Sequence, residues 1–404
     1  MPANVNRIAY VSPEGNLFTI KPDGSDAQKL TDHIQLHSAE GPSARRLDLS
    51  RFHTWPTWSP DGTKLAASYV QASGDQSQVS IQVIDLATGR ARTIYNNDLS
   101  AFSPVAQTAP HYLYWSPDSK ALAFVAATAQ GLTLFIEDPE ASGTPATVQT
   151  GAPIYFHWAS DASSILLHIR QELKLSRKPF GAAPPALLAT AAGFRVPALS
   201  PDGRWMAYSV ASDSGGPLFI ADPADLRTAH TALSVGALSA FMWSPDGTEL
   251  AVVDQADAAS PLFQRLQVVS AHGGATRTIA EEPLLAFYWS PNGERIAWVA
   301  VDSEEGVFTW KVASTSGGPA QQLFRFQPSS EMLAMLTFFD QFAYSHSLWS
   351  PDSSHLVVAG NPEPTYPRRN GQTPTGSRIY LVPIAGSATP QEIASGSLAV
   401  WSWN

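Results

Sequence analysis

Short apolar runs alternate with polar turns along the whole sequence, and the order of runs and turns repeats. In one copy the run 240–243 leads into the turn 244–247, and further runs follow at 249–253, 264–269 and 276–279. Runs of β-branched and aromatic residues bounded by Pro, Asp, Asn and Gly are typical of antiparallel strands. Each copy therefore predicts a four-stranded antiparallel sheet, and a helical spacing of apolar residues is nearly absent.

The copies are anchored by a residue, usually aromatic, that runs into a turn of the Ser-Pro-Asp-Gly type. The anchors, 41 to 60 residues apart, are Trp58, Trp115, Trp158, Leu199, Trp243, Trp289, Trp349 and Trp401. A strand-rich unit that recurs at such a spacing indicates a β-propeller, in which each unit forms one blade. We predict an all-β chain that forms a single β-propeller domain over residues 1–404.

The two ends of the chain predict how the ring closes. Residues 7–11, 17–20 and 28–31 fit the second, third and fourth strands of a blade that lacks its first strand. Residues 398–403 fit a first strand with nothing after it, so they are expected to complete the N-terminal blade. Closure of this kind gives an eight-bladed propeller without exposed sheet edges. The predicted blades are 398–404 with 6–31, 54–95, 111–150, 153–190, 195–233, 238–280, 284–325 and 345–395.

Composition narrows the classes of function. The formal net charge of −10 argues against general nucleic-acid binding. The chain has no cysteine, which excludes disulfides and Cys-based metal sites. No stretch approaches the ~20 apolar residues of a membrane helix. The first residues lack the features of a signal peptide, so the protein is either cytoplasmic or has lost its export segment, and we favour the second. We expect a monomer without a cofactor.

The Trp-Ser-Pro-Asp-Gly turn, together with the stretch 17–31, resembles the repeat of TolB-like propellers. The same repeat occurs in the propeller domains of the dipeptidyl peptidase IV and prolyl oligopeptidase families. The resemblance covers essentially the whole chain and implies the propeller fold. It also implies an extracytoplasmic location, periplasmic or at the cell surface. TolB itself has six blades after a small α/β domain, and neither feature matches this sequence.

The acidic residues of the repeated turns are assigned a structural role. A carboxylate at this position accepts backbone N–H bonds, Pro fixes φ, and Gly accepts a positive φ. Asn292 occupies the same position in one copy, and an amide can hold a turn but cannot act as a general acid. The predicted structural turn residues are Asp61, Asp118, Asp202, Asp246, Asn292 and Asp352.

Long insertions interrupt the repeat at 32–54, 96–111, 327–345 and 361–378. In a propeller all four would emerge on the face opposite the Ser-Pro-Asp-Gly turns, and loops on a rigid scaffold commonly carry function. Arginines in these loops would bind a carboxylate or phosphate, or would pair with acidic residues of the same loops. The predicted ligand-binding residues are Arg45, Arg46, His53, Tyr366, Arg368, Arg369, Phe339 and Asp340.

The insertion 327–345 also predicts a short helix. Residues 328–331 resemble a helix start, and Met332, Met335, Leu336 and Phe339 follow at i, i+3, i+4 and i+7. This apolar face would pack onto the ring beside the eighth blade. Alternatively, it would offer a surface rich in Met and Phe to a partner.

Histidines in the same loops are candidate metal ligands. His33 and His37 are the candidates, with His53, His111 or His346 as further ligands, but their spacing has none of the specificity of a His-Glu-x-x-His motif. We therefore predict no metal site.

No nucleophile elbow, phosphate loop or dinucleotide fingerprint occurs in the sequence. The sequence thus predicts a non-catalytic binding module of the bacterial cell envelope, which binds a protein or an anionic glycan or peptide on the insertion face. The alternative is a propeller enzyme, either a glycan lyase or a hydrolase, with or without a metal, whose site lies at the channel mouth.

Overall fold

The computed structural model describes residues 5–33, 50–73, 76–97, 100–101, 110–141, 143–190, 196–210, 215–255, 260–363, 376–385 and 389–404. Short strands account for most of these residues. The first half of the chain contains β1 (Ile8–Val11), β2 (Leu17–Ile20), β3 (Gln28–Lys29), β4 (Arg51–Trp58), β5 (Lys64–Ser73), β6 (Gln76–Asp85), β7 (Ala91–Asn96), β8 (Ser100–Ala101), β9 (Pro110–Trp115), β10 (Leu122–Thr128), β11 (Gly131–Glu137), β12 (Ala146–Thr150), β13 (Ile154–Trp158), β14 (Ser164–Ile169), β15 (Glu172–Arg177) and β16 (Ala186–Thr190).

The second half continues the pattern and adds two short helices. Its elements are β17 (Ala198–Leu199), β18 (Met206–Ser209), β19 (Gly216–Asp222), β20 (Asp225–Val235), β21 (Ser239–Trp243), β22 (Glu249–Asp254), β23 (Phe263–Ser270), β24 (Arg277–Trp289), β25 (Arg295–Asp302), β26 (Val307–Ser314), β27 (Gln321–Pro328), α1 (Ser330–Thr337), α2 (Phe339–Phe342), β28 (His355–Pro362), β29 (Arg378–Pro383), β30 (Gln391–Ser395) and β31 (Leu398–Trp401).

The strands pair as antiparallel sheets of four neighbours, as the sequence predicts. Four sheets have the orders β3-β2-β1-β31, β12-β11-β10-β9, β13-β14-β15-β16 and β17-β18-β19-β20, and a fifth joins β4 to β7 with β8 added at β6. Strands β21 to β30 run on as one sheet, because β24 pairs with β23 through its first half and with β25 through its second half. This repeated four-stranded meander confirms an all-β fold of the β-propeller class.

The inner strands are more buried than the outer, fourth strands. The inner strand β21 is buried along its whole length, and so is the second strand β14. The outer strands β16 and β30 are exposed or half-buried. A strand covered on both faces by neighbouring sheets has a continuous apolar run, whereas a partly exposed strand does not. The apolar runs of the sequence therefore mark the inner strands.

The Ser-Pro-Asp-Gly turns are closed by hydrogen bonds of the acidic side chain. Ser244 Oγ donates to Asp246 Oδ1 at 2.6 Å, and the same oxygen accepts the backbone N–H of Thr248 at 3.0 Å. Gly247 takes a φ of +71°, which favours glycine at this position. The equivalent pair of hydrogen bonds forms at Asp61, Asp118, Asp202, Asn292 and Asp352.

The anchor tryptophans link each sheet to the one before it. The indole Nε1 of Trp115 donates to the backbone carbonyl of Thr57 at 3.0 Å, and Trp289 donates to Met242 at 3.1 Å. In every such pair the accepting residue directly precedes the anchor of the preceding repeat. The other pairs are Trp58 to Val400 at 3.3 Å, Trp158 to Tyr114 at 3.2 Å and Trp243 to Ala198 at 3.1 Å.

Three anchors depart from this inter-sheet bond. Leu199 has no side-chain donor. Trp401 donates to Asn6 Oδ1 at 2.8 Å instead of to a backbone carbonyl. The indole Nε1 of Trp349 is buried and has no hydrogen-bond partner among the described residues. The series of indole bonds is therefore interrupted at Leu199, Trp349 and Trp401.

The two ends of the chain meet in one sheet. Strand β31 pairs antiparallel with β1, so that Trp401 lies opposite Ile8 and Leu398 lies opposite Val11. The next sheet contacts this junction, because the indole of Trp58 donates to Val400 in β31.

The predicted helix in the insertion 327–345 is confirmed. Ser329 caps α1, and its Oγ accepts the backbone N–H of Met332 at 3.0 Å. An N-cap serine of this kind satisfies one of the free N–H groups of the first turn. Neither helix in the described ranges has the length and apolarity that a crossing of the bilayer requires.

The indole hydrogen bonds predict a difference between two tryptophan substitutions. Trp115→Phe and Trp349→Phe remove similar volumes from buried sites, but only the first removes a bonded N–H. Trp115→Phe should therefore lower the free energy of unfolding by about 1 kcal/mol more than Trp349→Phe. Urea unfolding of the two variants measures this difference. Equal losses in both variants would show that packing alone accounts for the tryptophans.

Candidate functional site

Residues 329–346, which we call the channel insert, connect β27 to the segment that carries Trp349. The insert begins at the end of a fourth strand, so it enters the propeller on the face opposite the Ser-Pro-Asp-Gly turns. Its side chains contact the inner strands β4, β9, β13 and β21 and the second half of β24. In a propeller the inner strands surround the central channel. The insert therefore lies in the channel.

Phe339 anchors one side of the channel insert. Its ring lies 5.1 Å from that of Phe287, 6.0 Å from Phe263 and 6.1 Å from Tyr288, measured between centroids. It is 1% exposed, and Met332, Met335 and Leu336 are buried beside it in the same apolar cluster. The apolar face of α1 thus packs onto the ring. Phe339 is one of the predicted ligand-binding residues, and its ring is enclosed by the core.

Phe342 and Tyr344 reach the other side of the channel. Phe342 stacks on Trp55 at 4.8 Å and meets Tyr112 edge-on at 5.6 Å. Tyr344 packs edge-on against His157 at 4.3 Å. The chain is held there by polar bonds as well, since the Tyr112 hydroxyl donates to the Gln341 carbonyl at 2.8 Å. The insert thus spans the channel from β24 to β13.

The charge of Asp340 acts on three tyrosines that line the channel. The pKa values of Tyr112, Tyr288 and Tyr344 are raised above the ordinary value of tyrosine, mainly by burial. The negative charge of Asp340 raises each of them further. All three phenols therefore stay protonated across the physiological pH range. Asp340, a predicted ligand residue, is half-buried and contributes to the interior electrostatics of the channel.

A cavity of about 290 Å³ remains at the other end of the channel. Ala343 and Tyr344 of the channel insert line its inner end, and Trp403 lies beside its mouth. The second residues of four Ser-Pro turns also line it, namely Pro201, Pro245, Pro291 and Pro351. We call this space the turn-face cavity. It opens on the face opposite the one that the long insertions predict.

Three polar atoms in residues of the cavity wall lack a hydrogen-bond partner among the described residues. They are the hydroxyls of Tyr288 and Tyr344 and the indole Nε1 of Trp349. Tyr288 is 4% exposed and Trp349 is 3% exposed. A buried polar group without a partner costs about 1–3 kcal/mol, so such groups in a native protein need an explanation. A bound molecule with a hydrogen-bonding group would supply one.

The mouth of the cavity is acidic. Asp202, Asp246 and Asp352 each follow a lining proline directly. The Ser244 hydroxyl and then the Thr248 backbone N–H lower the pKa of Asp246. At Asp202 and Asp352 partial burial raises the pKa, but hydrogen bonds from nearby residues outweigh it and the pKa is lowered. The donors are Ser200 and Arg204 at Asp202, and Ser350 and Ser354 at Asp352. Three carboxylates at the mouth are therefore ionised at neutral pH.

Most of the predicted ligand-binding residues lie outside the described part of the chain. These are Arg45, Arg46, Tyr366, Arg368 and Arg369, and the metal candidate His37 lies outside it as well. The arginine site on the insertion face therefore stays a prediction.

His53 and His33 form a stacked pair with Tyr69. His53 Nδ1 lies 2.7 Å from His33 Nε2, and His53 Nε2 lies 3.0 Å from Gln82 Oε1. Both ring nitrogens of His53 are thus engaged, and burial lowers its pKa to about 4. Within the described ranges, no group of three or more His, Asp or Glu side chains is arranged to hold a metal ion.

Sequence reasoning missed Trp403 and the row of prolines as cavity residues. The prolines have a structural role in every turn, so their repetition hid their position at one opening. Trp403 did carry a signal, because it follows the anchor Trp401 by two residues and has no counterpart in the other repeats. It is 36% exposed, which is unusual for a tryptophan of this chain.

The position of the channel insert predicts a large loss of stability for one phenylalanine substitution and a small change for its neighbour. Phe339→Ala should lower the free energy of unfolding by about 3–5 kcal/mol, because the ring is enclosed by three aromatic neighbours. Phe338→Ala removes a ring that is 48% exposed and should change the stability by less than about 0.5 kcal/mol. Chemical unfolding of both variants tests the packing. A small loss at Phe339 would contradict an insert that is fixed in the channel.

Buried histidines predict a loss of stability below neutral pH. Burial lowers the pKa of His346 to about 3 and that of His157 to about 4, from an ordinary value of 6.5. As the pH falls, the unfolded chain binds these protons first. The contribution of the neutral imidazoles is therefore present above the unfolded pKa of 6.5 and is lost progressively as the pH falls towards about 4 for His157 and towards about 3 for His346. The loss between about pH 7 and about pH 5, measured by urea unfolding, should be smaller in His346→Gln.

His272 provides the control for this pH dependence, because it is exposed. His272→Gln should leave the pH dependence of the wild type unchanged. If His346→Gln and the wild type lost the same stability between the two pH values, the buried imidazole would not be the cause.

The fold of this chain is similar to that of several solved propeller structures. No protein-family model and no curated protein matches the sequence. Dihydro-heme d1 dehydrogenase NirN in complex with DHE is similar in structure, with a TM-score of 0.59, 12% identity and coverage of 100% of this chain and 76% of that chain. Oligogalacturonate lyase from Vibrio parahaemolyticus has a TM-score of 0.51, 11% identity and coverage of 82% and 85%.

The TolB protein of Acinetobacter baumannii is also similar, with a TM-score of 0.41, 15% identity and coverage of 84% of this chain and 83% of that chain. At 11–15% sequence identity these similarities show a shared fold and do not assign an activity to this chain. Of these matches, the two with TM-scores above 0.5 support the β-propeller fold of this chain.

Proposed function

We propose that this protein is a non-catalytic binding module whose ligand enters the turn-face cavity. The observation that carries the proposal is the cavity itself, which has an inner end formed by Tyr344 and a half-exposed Trp403 at its mouth. Concave sites with apolar walls and a few polar groups are where proteins bind small groups. The free hydrogen-bonding atoms of Tyr288 and Trp349 supply such polar groups.

The channel insert weighs against the enzymatic alternative in its original form. A lyase or hydrolase with its site at the channel mouth on the insertion face needs open space between the inner strands. In this chain Phe339 and Phe342 occupy that space and are packed against core aromatics. An anionic ligand held by Arg368 and Arg369 remains the second binding hypothesis, and it would use the outer loops of that face.

We further propose that the ring is a single domain of eight blades, closed by β31. The pairing of β31 with β1 and the bond from Trp58 to Val400 support closure, and the eight sequence anchors support the count. The resemblance to TolB-like propellers supports an extracytoplasmic location. We expect the module to act as a monomer towards a protein or glycan of the cell envelope.

Binding tests with matched variants distinguish the two faces. A glycan array and a pull-down from cell-envelope extract should be run with the wild type, with Trp403→Ala, and with the double variant Arg368→Ala, Arg369→Ala. Loss of a bound species in Trp403→Ala alone is the expected result, because that side chain lies at the cavity mouth. Loss in the arginine variant alone would overturn the cavity in favour of the insertion face.

Enzymatic activity is tested with the same material. Glycans bound on the array should be recovered unchanged after incubation with the protein, as judged by mass spectrometry. Cleaved or unsaturated products that depend on the wild-type protein would overturn a non-catalytic function.

A further inference from the structure

We infer that the turn-face cavity takes a compact aromatic amine, with the aromatic body inside the cavity and the cationic group at its mouth. This inference rests on the proposed function and names the chemical class of its ligand. The shape of the site, the polar atoms in its wall and the charge at its mouth support it independently.

The size and lining of the cavity set the body of the ligand. A volume of about 290 Å³ is large enough for one aromatic ring with a short side chain, since a cavity of about 150 Å³ already holds benzene. The accessible aromatic surface comes from Tyr344 at the inner end and Trp403 at the mouth, while Pro245 and Pro291 supply flat apolar walls. Aromatic rings stack or meet edge-on with such surfaces, and each pair adds about 0.5–1.5 kcal/mol beyond the buried area.

The polar atoms in the wall call for a hydrogen-bonding group on that ring. The indole Nε1 of Trp349 can only donate, and the hydroxyls of Tyr288 and Tyr344 can donate or accept. In five other repeats the equivalent indole donates to a backbone carbonyl. A phenolic oxygen can accept from an indole and can also pair with a hydroxyl, so a hydroxylated ring carries the group that these atoms require.

The charge at the mouth sets the head group. The carboxylates of Asp202, Asp246 and Asp352 lie one residue beyond the lining prolines, and Arg204 pairs with Asp202 alone. A cleft bordered by charges of one sign concentrates its field at the opening and attracts the opposite charge. An ammonium group at this position also lies near Trp403, whose ring face favours a cation. Its positive charge stays near water, so no unpaired charge is buried.

Asn292 shows that the carboxylates at the cavity mouth can be replaced by amides without loss of the turn. At this position an amide holds the same hydrogen bonds as the aspartates, since Ser290 Oγ donates to Asn292 Oδ1 at 2.7 Å and Glu294 N donates to it at 3.2 Å. The substitutions Asp246→Asn and Asp352→Asn therefore remove charge from the mouth and keep the turn. Asp118→Asn is the matched control, because the same turn there borders no part of the cavity.

The test uses four small probes that differ in charge and in the hydroxyl group. They are tyramine, phenethylamine, 4-ethylphenol and 3-(4-hydroxyphenyl)propionate, with binding measured by isothermal titration calorimetry at low salt. Tyramine should bind about 10-fold more tightly than the neutral 4-ethylphenol, and the anionic probe should bind most weakly. Phenethylamine should bind about 5-fold more weakly than tyramine, because it leaves the indole of Trp349 without an acceptor.

The variants and the salt dependence identify the cause of each preference. The double variant Asp246→Asn, Asp352→Asn should lose most of the preference for tyramine over 4-ethylphenol, whereas Asp118→Asn should keep it. Raising the salt to about 0.5 M should reduce the same preference in the wild type. A peptide with an N-terminal tyrosine and its N-acetylated form distinguish a polypeptide end from a free amine as the source of the group.

The outcomes separate this inference from the proposed function. If all four probes bind equally and binding is lost in Trp403→Ala, the cavity is a binding site but the amine class is overturned. If no probe binds, or if binding is the same in Trp403→Ala and the wild type, both the ligand class and the proposed use of the cavity are overturned. The urea midpoint of Trp403→Ala, measured alongside, checks that the variant is folded.

Discussion

The hydrogen bond from an anchor indole to the preceding repeat is the interaction on which the rest of the structure depends. A tryptophan side chain is large enough to fill the wedge between two inner strands, but its N–H must find an acceptor there. Trp115, Trp158 and Trp289 each use the carbonyl one residue before the previous anchor. That constant offset fixes the height of each sheet against the next one. It thereby fixes where the Ser-Pro-Asp-Gly turns lie, and so the position of the prolines that border the turn-face cavity.

The channel insert covers aromatic side chains of the channel wall that the indole hydrogen bonds do not. A ring held at its inner strands encloses a channel whose walls include Trp55, Tyr112 and His157, and these aromatic surfaces need partners. Phe342 and Tyr344 provide them, while Phe339 fills the opposite side. Because the insert enters from one face and its last residues continue into the segment of Trp349, it closes that face and leaves space at the other. The position of the channel insert thus leaves the turn-face cavity as an open space among the described residues of the channel.

The sequence predicts the fold of this chain far better than its site. The turns, the inner strands, the start of α1 at Ser329 and the pairing of β31 with β1 follow from local patterns, because each depends on residues close in the chain or on a repeated anchor. The location of Phe339 in the core and the neighbours of Tyr288 depend on contacts between distant repeats. No local period encodes these contacts. The burial of His346 beside Thr57, 289 positions away, is of the same kind.

Departures from the repeat indicate where function lies, and they include missing indole hydrogen bonds as well as long loops. Loop lengths draw attention to the insertion face. The series of indole hydrogen bonds points to the opposite face. Leu199 lacks an indole, and the indole of Trp349 lacks an acceptor among the described residues. Trp403 has no equivalent in the other repeats. Trp349 and Trp403 border the turn-face cavity, and so do the turns after Leu199 and Trp349. The proposed ligand site therefore combines an incomplete indole bond at Trp349 with Trp403, an aromatic side chain that the repeat does not explain.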